Sequence, residues 1–155
     1  MQSGVLERAA GLAERRLTQR VRRTWSECAD GRLPSWDDVQ ALDIGDDWRS
    51  CFAVDLALSD PDPYFIYIGE DLARLSEVYF TGANGRHGAV IDLVAARIEE
   101  AVITRRAVSH DEQAALGDGG RIAFRCVLLP LSNNGRDVSH VFGAANGKLT
   151  GAQYS

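Results

Sequence analysis

The stretch RIAFRCVLLPL, residues Arg121–Leu131, has the pattern of a strand that is buried on both sides. Apolar side chains fill nearly consecutive positions, whereas a strand with one solvated face alternates apolar with polar residues. The turn sequence Asn133-Asn134-Gly135 follows, and Asp137–Ala145, DVSHVFGAA, predicts the next strand. A turn of this kind joins antiparallel neighbours. The stretch therefore predicts one strand of an antiparallel sheet that is covered on both faces.

Three more segments have strand patterns. Arg106–Leu116 precedes the central stretch, across the turn sequence Gly117-Asp118-Gly119-Gly120. Nearer the N-terminus, Trp48–Ser59 carries apolar side chains at every second position, and Tyr64–Gly69, YFIYIG, is aromatic and β-branched. Asp60-Pro61-Asp62-Pro63 separates these two segments and forces a turn, because each proline fixes its own φ. Five strands in two groups are therefore predicted.

Helical patterns lie before and between the two strand groups. Ala89–Thr104 has apolar residues at helical spacings, and Glu70–Leu75 predicts a shorter helix. Another short helix is predicted after Ser35, whose hydroxyl can cap it, with Asp38 near the positive end of the helix dipole. Two strands, a helical crossover and three strands predict the α+β class, with one five-stranded antiparallel sheet and the crossover helices on one face.

The N-terminal segment, residues 1–32, has the strongest helical periodicity in the sequence. Seven residues recur every three or four positions and so form one stripe: Leu6, Ala10, Ala13, Leu17, Val21, Trp25 and Cys28. Most of the arginines of the segment lie on the other side. We expect this amphipathic helix to cover the second face of the sheet or to pair two copies of the chain, with a dimer interface formed by Leu6, Ala10, Ala13, Leu17, Val21 and Trp25.

Composition and charge limit the classes of protein. The chain has 155 residues, of which 45% are apolar and 25% charged, as in an ordinary globular domain. Residues 1–33 carry seven arginines against four acidic residues, whereas the remainder has a net charge of −8. An acidic body argues against nucleic-acid binding, which depends on neutralising phosphates. The sequence has no long apolar run, secretory signal or CxxC motif, so we expect a cytoplasmic protein without a membrane span or zinc site.

Three local sequences resemble a small bacterial PAS-like family: RLPSWDD (Arg32–Asp38), VLLPLSNNG (Val127–Gly135) and VSHVFGAANGK (Val138–Lys148). The order of elements is similar to that of a PAS domain over residues 33–147, which leaves residues 148–155 as a C-terminal tail. The resemblance implies a sensory or signal-relay module whose sheet and crossover helices enclose a pocket. The strand YFIYIGEDL departs from the family pattern, which more often has an arginine-bearing strand there.

The resemblance implies that inward side chains of the strands and crossover helices line the pocket. The candidates are Phe52, Val54, Ile66, Tyr79, Leu93, Phe124, Arg125, Cys126 and Phe142. Arg125 is unusual, because an arginine in an apolar strand must reach solvent, a carboxylate or an anionic ligand. No cofactor is predicted: His87 lies in a glycine-rich loop, and Asn84-Gly85-Arg86 lacks the cysteine of a light-oxygen-voltage flavin sensor. The ligand would be an unidentified small molecule.

We therefore expect a sensor or adapter without enzymatic activity that binds a small ligand or a partner protein and forms a homodimer. At this length we expect the signal to leave through contact with another chain rather than through a further domain.

Two alternatives remain open at this stage. One is an enzyme or carrier with a cone-shaped α+β fold and a cavity around His110. His110 and Glu112 lie on the same side of a predicted strand, which suits a proton-transfer pair or two metal ligands. The other gives the arginine-rich helix a DNA-binding or membrane-surface role, although we expect neither nucleic acid nor membrane as a partner.

Overall fold

The architecture is given by a computed structural model, which describes residues 16–77, 79–81, 87–116 and 120–151. Residues 16–28 are helical (α1), and Gly45–Ser50 form a 3-10 turn. The other helices are α2 (Trp36–Gln40), α3 (Glu70–Leu75), α4 (Val90–Ala95) and α5 (Ile98–Thr104). The strands are β1 (Cys51–Asp55), β2 (Tyr64–Ile68), β3 (Tyr79–Thr81), β4 (His87–Ala89), β5 (Val108–Leu116), β6 (Gly120–Leu131) and β7 (His140–Gly151). Within the described ranges, none of the helices is both long and apolar enough to cross a membrane.

The described strands form one antiparallel sheet in the order β2-β1-β7-β6-β5-β3-β4. The five longer strands contain the two predicted groups, and the helices α3, α4 and α5 lie between β2 and β5 in the chain. The short strands β3 and β4 were not predicted. They extend the sheet beyond β5, where Phe80 pairs with Leu116. The predicted α+β fold and the predicted order of two strands, a helical crossover and three strands are confirmed, but the sheet has seven described strands rather than the predicted five.

Each face of the sheet carries its own core. The crossover face is the one covered by α3, α4 and α5, and its core includes Phe52, Leu72, Val94, Ala101 and Phe124. The N-terminal face is covered by α1, α2 and the 3-10 turn, and its core includes Leu17, Val21, Val39, Leu129 and Phe142. The predicted covering of both faces is therefore confirmed, with the N-terminal helix on the second face.

Aromatic side chains fill the space between the N-terminal segment and the sheet. The ring of Phe142 lies between Trp36 and Trp48, with ring centroids 6.4 Å and 5.6 Å away. Ser35 and Asp38 form a capping box at the start of α2, beside this cluster. In the box, each side chain accepts a hydrogen bond of 3.0 Å from the backbone N–H of the other residue, and Pro34 precedes it in the chain. The sequence RLPSWDD thus starts a helix whose first residue packs on the sheet.

Three element boundaries differ from the sequence analysis. The first strand ends at Asp55, because the Asp55 carboxylate accepts bonds from the backbone N–H groups of Ala57 (2.9 Å) and Leu58 (3.4 Å) and turns the chain away. The helix predicted over Ala89–Thr104 is two helices, α4 and α5, with a turn between them. The last strand begins at His140 and continues to Gly151, so residues 148–151 belong to the sheet rather than to a tail.

Gly143 allows the Phe52 ring and the neighbouring strand β6 to approach its backbone closely. It pairs with Phe52 on β1 and Leu128 on β6, and the Phe52 ring lies against its backbone. A β-carbon on Gly143 would lie 2.7 Å from Phe52 Cζ and would also meet the carbonyl oxygen of Val127. Because that oxygen belongs to the neighbouring strand, the clash cannot be relieved by a side-chain rotation.

We expect Gly143→Ala to lower the free energy of unfolding by about 2 kcal/mol or more, through overpacking at the middle of the sheet. Gly147→Ala is the matched control on the same strand. Its β-carbon would first meet Ile122 Cδ1, at 3.0 Å, which is the end of a flexible side chain. Urea denaturation of both variants measures the difference, and an equal loss in the two would contradict this account.

Candidate functional site

Four of the predicted pocket residues lie together on the crossover face. Phe52 and Val54 are fully buried, and Phe124 and Cys126 are 2% and 1% exposed. Leu93 packs against this cluster from α4. The two-residue period of β1 and β6 explains this arrangement, since residues two apart point to the same face. These five side chains are the part of the predicted pocket that the structure brings together.

The other predicted pocket residues lie elsewhere. Phe142 faces the N-terminal side, because its neighbour Gly143 occupies the crossover face opposite Phe52. Ile66 is 36% exposed on the edge strand β2, at a register shift in which Ala53 pairs with Tyr67 and Val54 with Phe65. The side chain of Tyr79 is outside the described part of the chain.

Arg125 also lies on the N-terminal side of β6, since it alternates with Phe124 and Cys126. Its Nε is 2.9 Å from Asp111 Oδ1, on the residue paired with it across β5 and β6. The sequence left solvent, a carboxylate and an anionic ligand open as partners of Arg125, and the structure shows that it binds a carboxylate. A cross-strand pair of this kind is visible in the sequence only when the register of the two strands is known.

Charged side chains join the crossover helices to β5. Arg97, between α4 and α5, donates from Nε and Nη2 to Glu112 Oε1 at 3.0 Å and 2.7 Å. Glu100 on α5 lies with Oε2 3.0 Å from His110 Nε2. The prediction that His110 and Glu112 share one side of the strand is correct, and both point toward the crossover helices. We call these four residues the crossover ion pairs.

The partners Arg97 and Glu100 were missed by the sequence analysis. The only signal for Glu100 was its place on the outer side of a predicted helix, which a solvent-exposed glutamate has as well. Within the described part of the chain, no group of three or more His, Cys, Asp or Glu side chains is arranged to hold a metal ion. His110 and Glu112 each bind a residue from the crossover instead.

One buried thiol, that of Cys126, lies close to this charged group, and a second, that of Cys51, lies on the N-terminal face. Cys126 pairs with His110 across β5 and β6, and burial, together with the nearby Glu112 carboxylate, raises the pKa of its thiol to about 12. Burial likewise raises the pKa of Cys51, on the N-terminal face. Both thiols are therefore protonated at neutral pH, and a thiolate is the form needed for nucleophilic attack. They act as small apolar side chains in the two cores.

Directed contacts fix α1 on the N-terminal face. The Arg20 guanidinium binds both oxygens of Asp47 on the 3-10 turn, at 2.9 Å and 2.8 Å. Trp25 Nε1 donates to the carbonyl oxygen of Pro130 at the end of β6, at 3.1 Å. Leu17 and Val21 are 6% and 1% exposed beneath the helix. The last turns of the N-terminal stripe are thus part of the core of a single chain.

Comparisons with known proteins add a fold-level similarity. No model of a protein family matches the chain, and no curated protein matches it. Among solved structures, the chain is similar to one described as the structure of an RNA-binding light-oxygen-voltage receptor, with a TM-score of 0.43 and 20% sequence identity. The similarity covers 63% of this chain and 28% of that chain, so this chain spans less than a third of that protein's length.

The two cores are separated by a single strand layer. Along β6, Phe124, Cys126 and Leu128 point into the crossover core, while Val127 and Leu129 point into the N-terminal core. Protein interiors are close-packed, so a shift of β6 that accommodates a change on one face moves side chains on the other. The arrangement can therefore link the crossover helices mechanically to α1.

The buried thiol of Cys126 gives the stability of the protein a defined pH dependence. The unfolded chain ionises its cysteines near pH 8.5, whereas the folded chain holds this thiol protonated up to about pH 12. We expect the free energy of unfolding to fall as the pH rises above about 8.5, because only the unfolded state releases the proton.

Urea midpoints measured at increasing pH test this expectation, with Cys126→Ala as the matched control. The control removes the buried ionisable group and should show a shallower decline than the parent chain. Identical slopes in the two proteins would show that the Cys126 thiol is not held protonated by folding.

Proposed function

We propose that the chain is a PAS-like sensory or signal-relay module of the cytoplasm, which acts by binding rather than by catalysis. A small molecule or a partner protein engages the crossover side of the sheet, and the response appears in the packing of α1. The observation that supports this proposal is the alternation along β6, which places two separate cores on opposite sides of one strand.

The crossover ion pairs provide the first step of the proposed relay. Arg97 and Glu100 come from the helical crossover, whereas Glu112 and His110 come from β5, so both pairs connect the helices directly to the sheet. The side chains of Arg97 and Glu112 are 39% and 23% exposed, and a half-exposed pair contributes modestly to stability. A ligand that moves α4 or α5 therefore breaks these contacts at low cost.

The final step of the relay is the interface of α1 with the sheet. A ligand shifts such an equilibrium only when its affinity differs between the two arrangements of helix and sheet. Leu17 and Val21 report this change, because they are buried only while α1 lies on the N-terminal face. The ion pair between Arg20 and Asp47 lies at the surface and breaks when Leu17 and Val21 leave the sheet.

Overpacking the crossover core tests the relay without knowledge of the ligand. We expect Cys126→Met to increase amide hydrogen exchange in residues 16–28 more than in β1, because the larger side chain displaces β6 toward α1. Ala115→Met, at an exposed position of β5, is the matched control and should leave both regions unchanged. Equal increases in α1 and β1 would mean that the substitution only lowers global stability, which would contradict the relay.

Native mass spectrometry of the purified chain addresses the ligand in the same proposal. A mass above that of the polypeptide, lost on denaturation, identifies a retained small molecule. If only the bare polypeptide is found, no tightly held small molecule is part of the purified protein, and the exchange experiment still decides whether the two faces are coupled.

Pairing of two chains through the N-terminal helix is part of the proposal. Leu17, Val21 and Trp25 pack on their own sheet, whereas Leu6, Ala10 and Ala13 lie outside the described residues. Deletion of the whole helix would uncover the N-terminal core, so substitutions are the sharper test. We expect Leu6→Glu with Ala13→Glu to convert a dimer into a monomer, measured by sedimentation velocity.

Gln19→Glu with Ser26→Glu is the matched control for pairing. It adds the same charge at exposed positions of α1 and should leave the dimer intact. A parent chain that sediments as a monomer would remove pairing from the proposal without affecting the relay.

The alternative of a cone-shaped enzyme or carrier rests on His110. This residue has an ionisable partner, Glu100, as that alternative requires. The pair lies at the margin of the crossover face, however, with side chains that are 22% and 48% exposed. A binding module therefore agrees better with the geometry than an acid–base pair within a cavity.

A further inference from the structure

Five arginines from four separate segments of the chain lie near one end of the sheet, where β6 ends and β5 begins. Arg105 donates from Nη1 to the carbonyl oxygen of Arg136, and Arg106 is next to it in the chain. The Arg32 side chain lies beside Gly135, 3.6 Å from where a β-carbon would stand. Arg22 reaches Ser109 at the start of β5. We call Arg22, Arg32, Arg105, Arg106 and Arg136 the arginine cluster.

The backbone holds the segments that carry this cluster together. Ser132 N donates to the carbonyl oxygen of Pro34 at 2.8 Å, which joins the β6–β7 loop to the segment that follows α1. Trp25 Nε1 binds the carbonyl oxygen of Pro130 in the same region. The neighbouring positions of the arginines therefore follow from the fold rather than from flexible side chains alone.

Among the residues that the structure describes, no member of the arginine cluster forms an ion pair with a carboxylate, although Arg32 is near enough to Asp38 to help lower the pKa of that carboxyl group. Five arginines elsewhere form ion pairs: Arg20 with Asp47, Arg49 with Asp71 and Glu70, Arg74 with Glu70, Arg97 with Glu112, and Arg125 with Asp111. Arg16, Arg23 and Arg121, which are scattered over other parts of the described surface, form none with a described residue. All five residues of the arginine cluster are exposed. Asp137, the nearest acidic residue in the β6–β7 loop, accepts a bond from Asn134 Nδ2 at 3.1 Å.

Clustered guanidinium groups of one sign repel each other and create a local positive potential on a chain whose net charge is −5. Arginine is charged at every physiological pH, so this positive potential persists and attracts anions. The planar guanidinium matches a carboxylate with two parallel hydrogen bonds. The arginine cluster thus has the chemistry of a docking surface for an acidic group.

Exposed carboxylates limit the size of that partner. Glu27 lies in the last turn of α1, Asp30 follows that helix, Asp37 lies on α2, and Glu99 lies on α5. A long polyanion such as a nucleic acid would extend past the arginine cluster and meet these like charges. A short acidic segment would stay within it.

We propose that the arginine cluster is the docking surface for a short Asp- and Glu-rich segment of a partner protein. This inference rests on the adapter role in the proposed function, since it names the kind of chain to which the signal passes. Arg105 and Arg106 directly follow α5, and Arg22 lies on α1, so the surface joins both ends of the proposed relay. Docking is therefore sensitive to the arrangement of these two helices.

Fluorescence anisotropy of the full chain with a fluorescein-labelled peptide of alternating Glu and Ser tests the proposal. We expect Arg106→Gln with Arg136→Gln to weaken peptide binding about fivefold at low salt, since each lost exposed charge pair contributes modestly. Arg74→Gln with Arg121→Gln removes the same charge from exposed sites elsewhere and should leave binding unchanged. Binding of the parent chain should weaken at about 0.15 M salt, because exposed charges are screened.

Three outcomes would overturn the proposal. The first is no binding of the peptide by the parent chain, and the second is an equal loss in the two double variants. The third is tighter binding of a single-stranded oligothymidine than of the peptide, which would identify a nucleic-acid surface instead. Thermal denaturation of each variant confirms that it is folded. If peptide binding fails while Cys126→Met still increases amide hydrogen exchange in α1, the relay stands and only the proposal of an acidic partner is rejected.

Discussion

The pairing of β6 with β7 is the interaction on which the rest of the structure depends. Twelve consecutive residue pairs join the two strands, from Gly120 with Gly151 to Leu131 with His140. β1 and β5 attach to the outer sides of this hairpin, and both cores are built on its side chains. Gly143, at the middle of the ladder, leaves the space that the Phe52 ring occupies. Because the hairpin serves both cores, a local change in one face has a path to the other.

Charge is used in two ways on this framework. Most ion pairs connect one element to another: Arg20 on α1 with Asp47, Arg97 with Glu112 on β5, and Arg125 on β6 with Asp111. Such pairs favour one arrangement of helices and sheet without contributing much to stability. The arginine cluster, at the end of the same sheet, forms no ion pair with a described carboxylate. A module that changes its helix packing would thereby change the geometry of a surface for another chain.

The sequence analysis predicted the elements better than the contacts. The two strand groups and the helical crossover follow from periodicity, and the covering of both faces follows from the apolar run in β6. Of the residues predicted to line a pocket, Phe52, Val54, Phe124 and Cys126 share a face, whereas Phe142, Ile66 and Arg125 do not lie with them. The face of Phe142 depends on the register of β7, and that of Ile66 on a register shift in the edge strand β2. A one-residue shift reverses the face of every side chain, and no local pattern specifies it.

By itself, the sequence determined the α+β class, the amphipathic N-terminal helix and the absence of a cysteine or glycine motif for redox or nucleotide chemistry. Each of these depends on residues close together in the chain. Only the tertiary structure decided which charges meet, because Arg22, Arg32, Arg105 and Arg136 come from separate segments. Counting charged residues along the sequence divides the chain into a basic N-terminal segment and an acidic remainder. Folding instead places arginines from both at one end of the sheet, since long-range pairing and not sequence distance sets which side chains are neighbours.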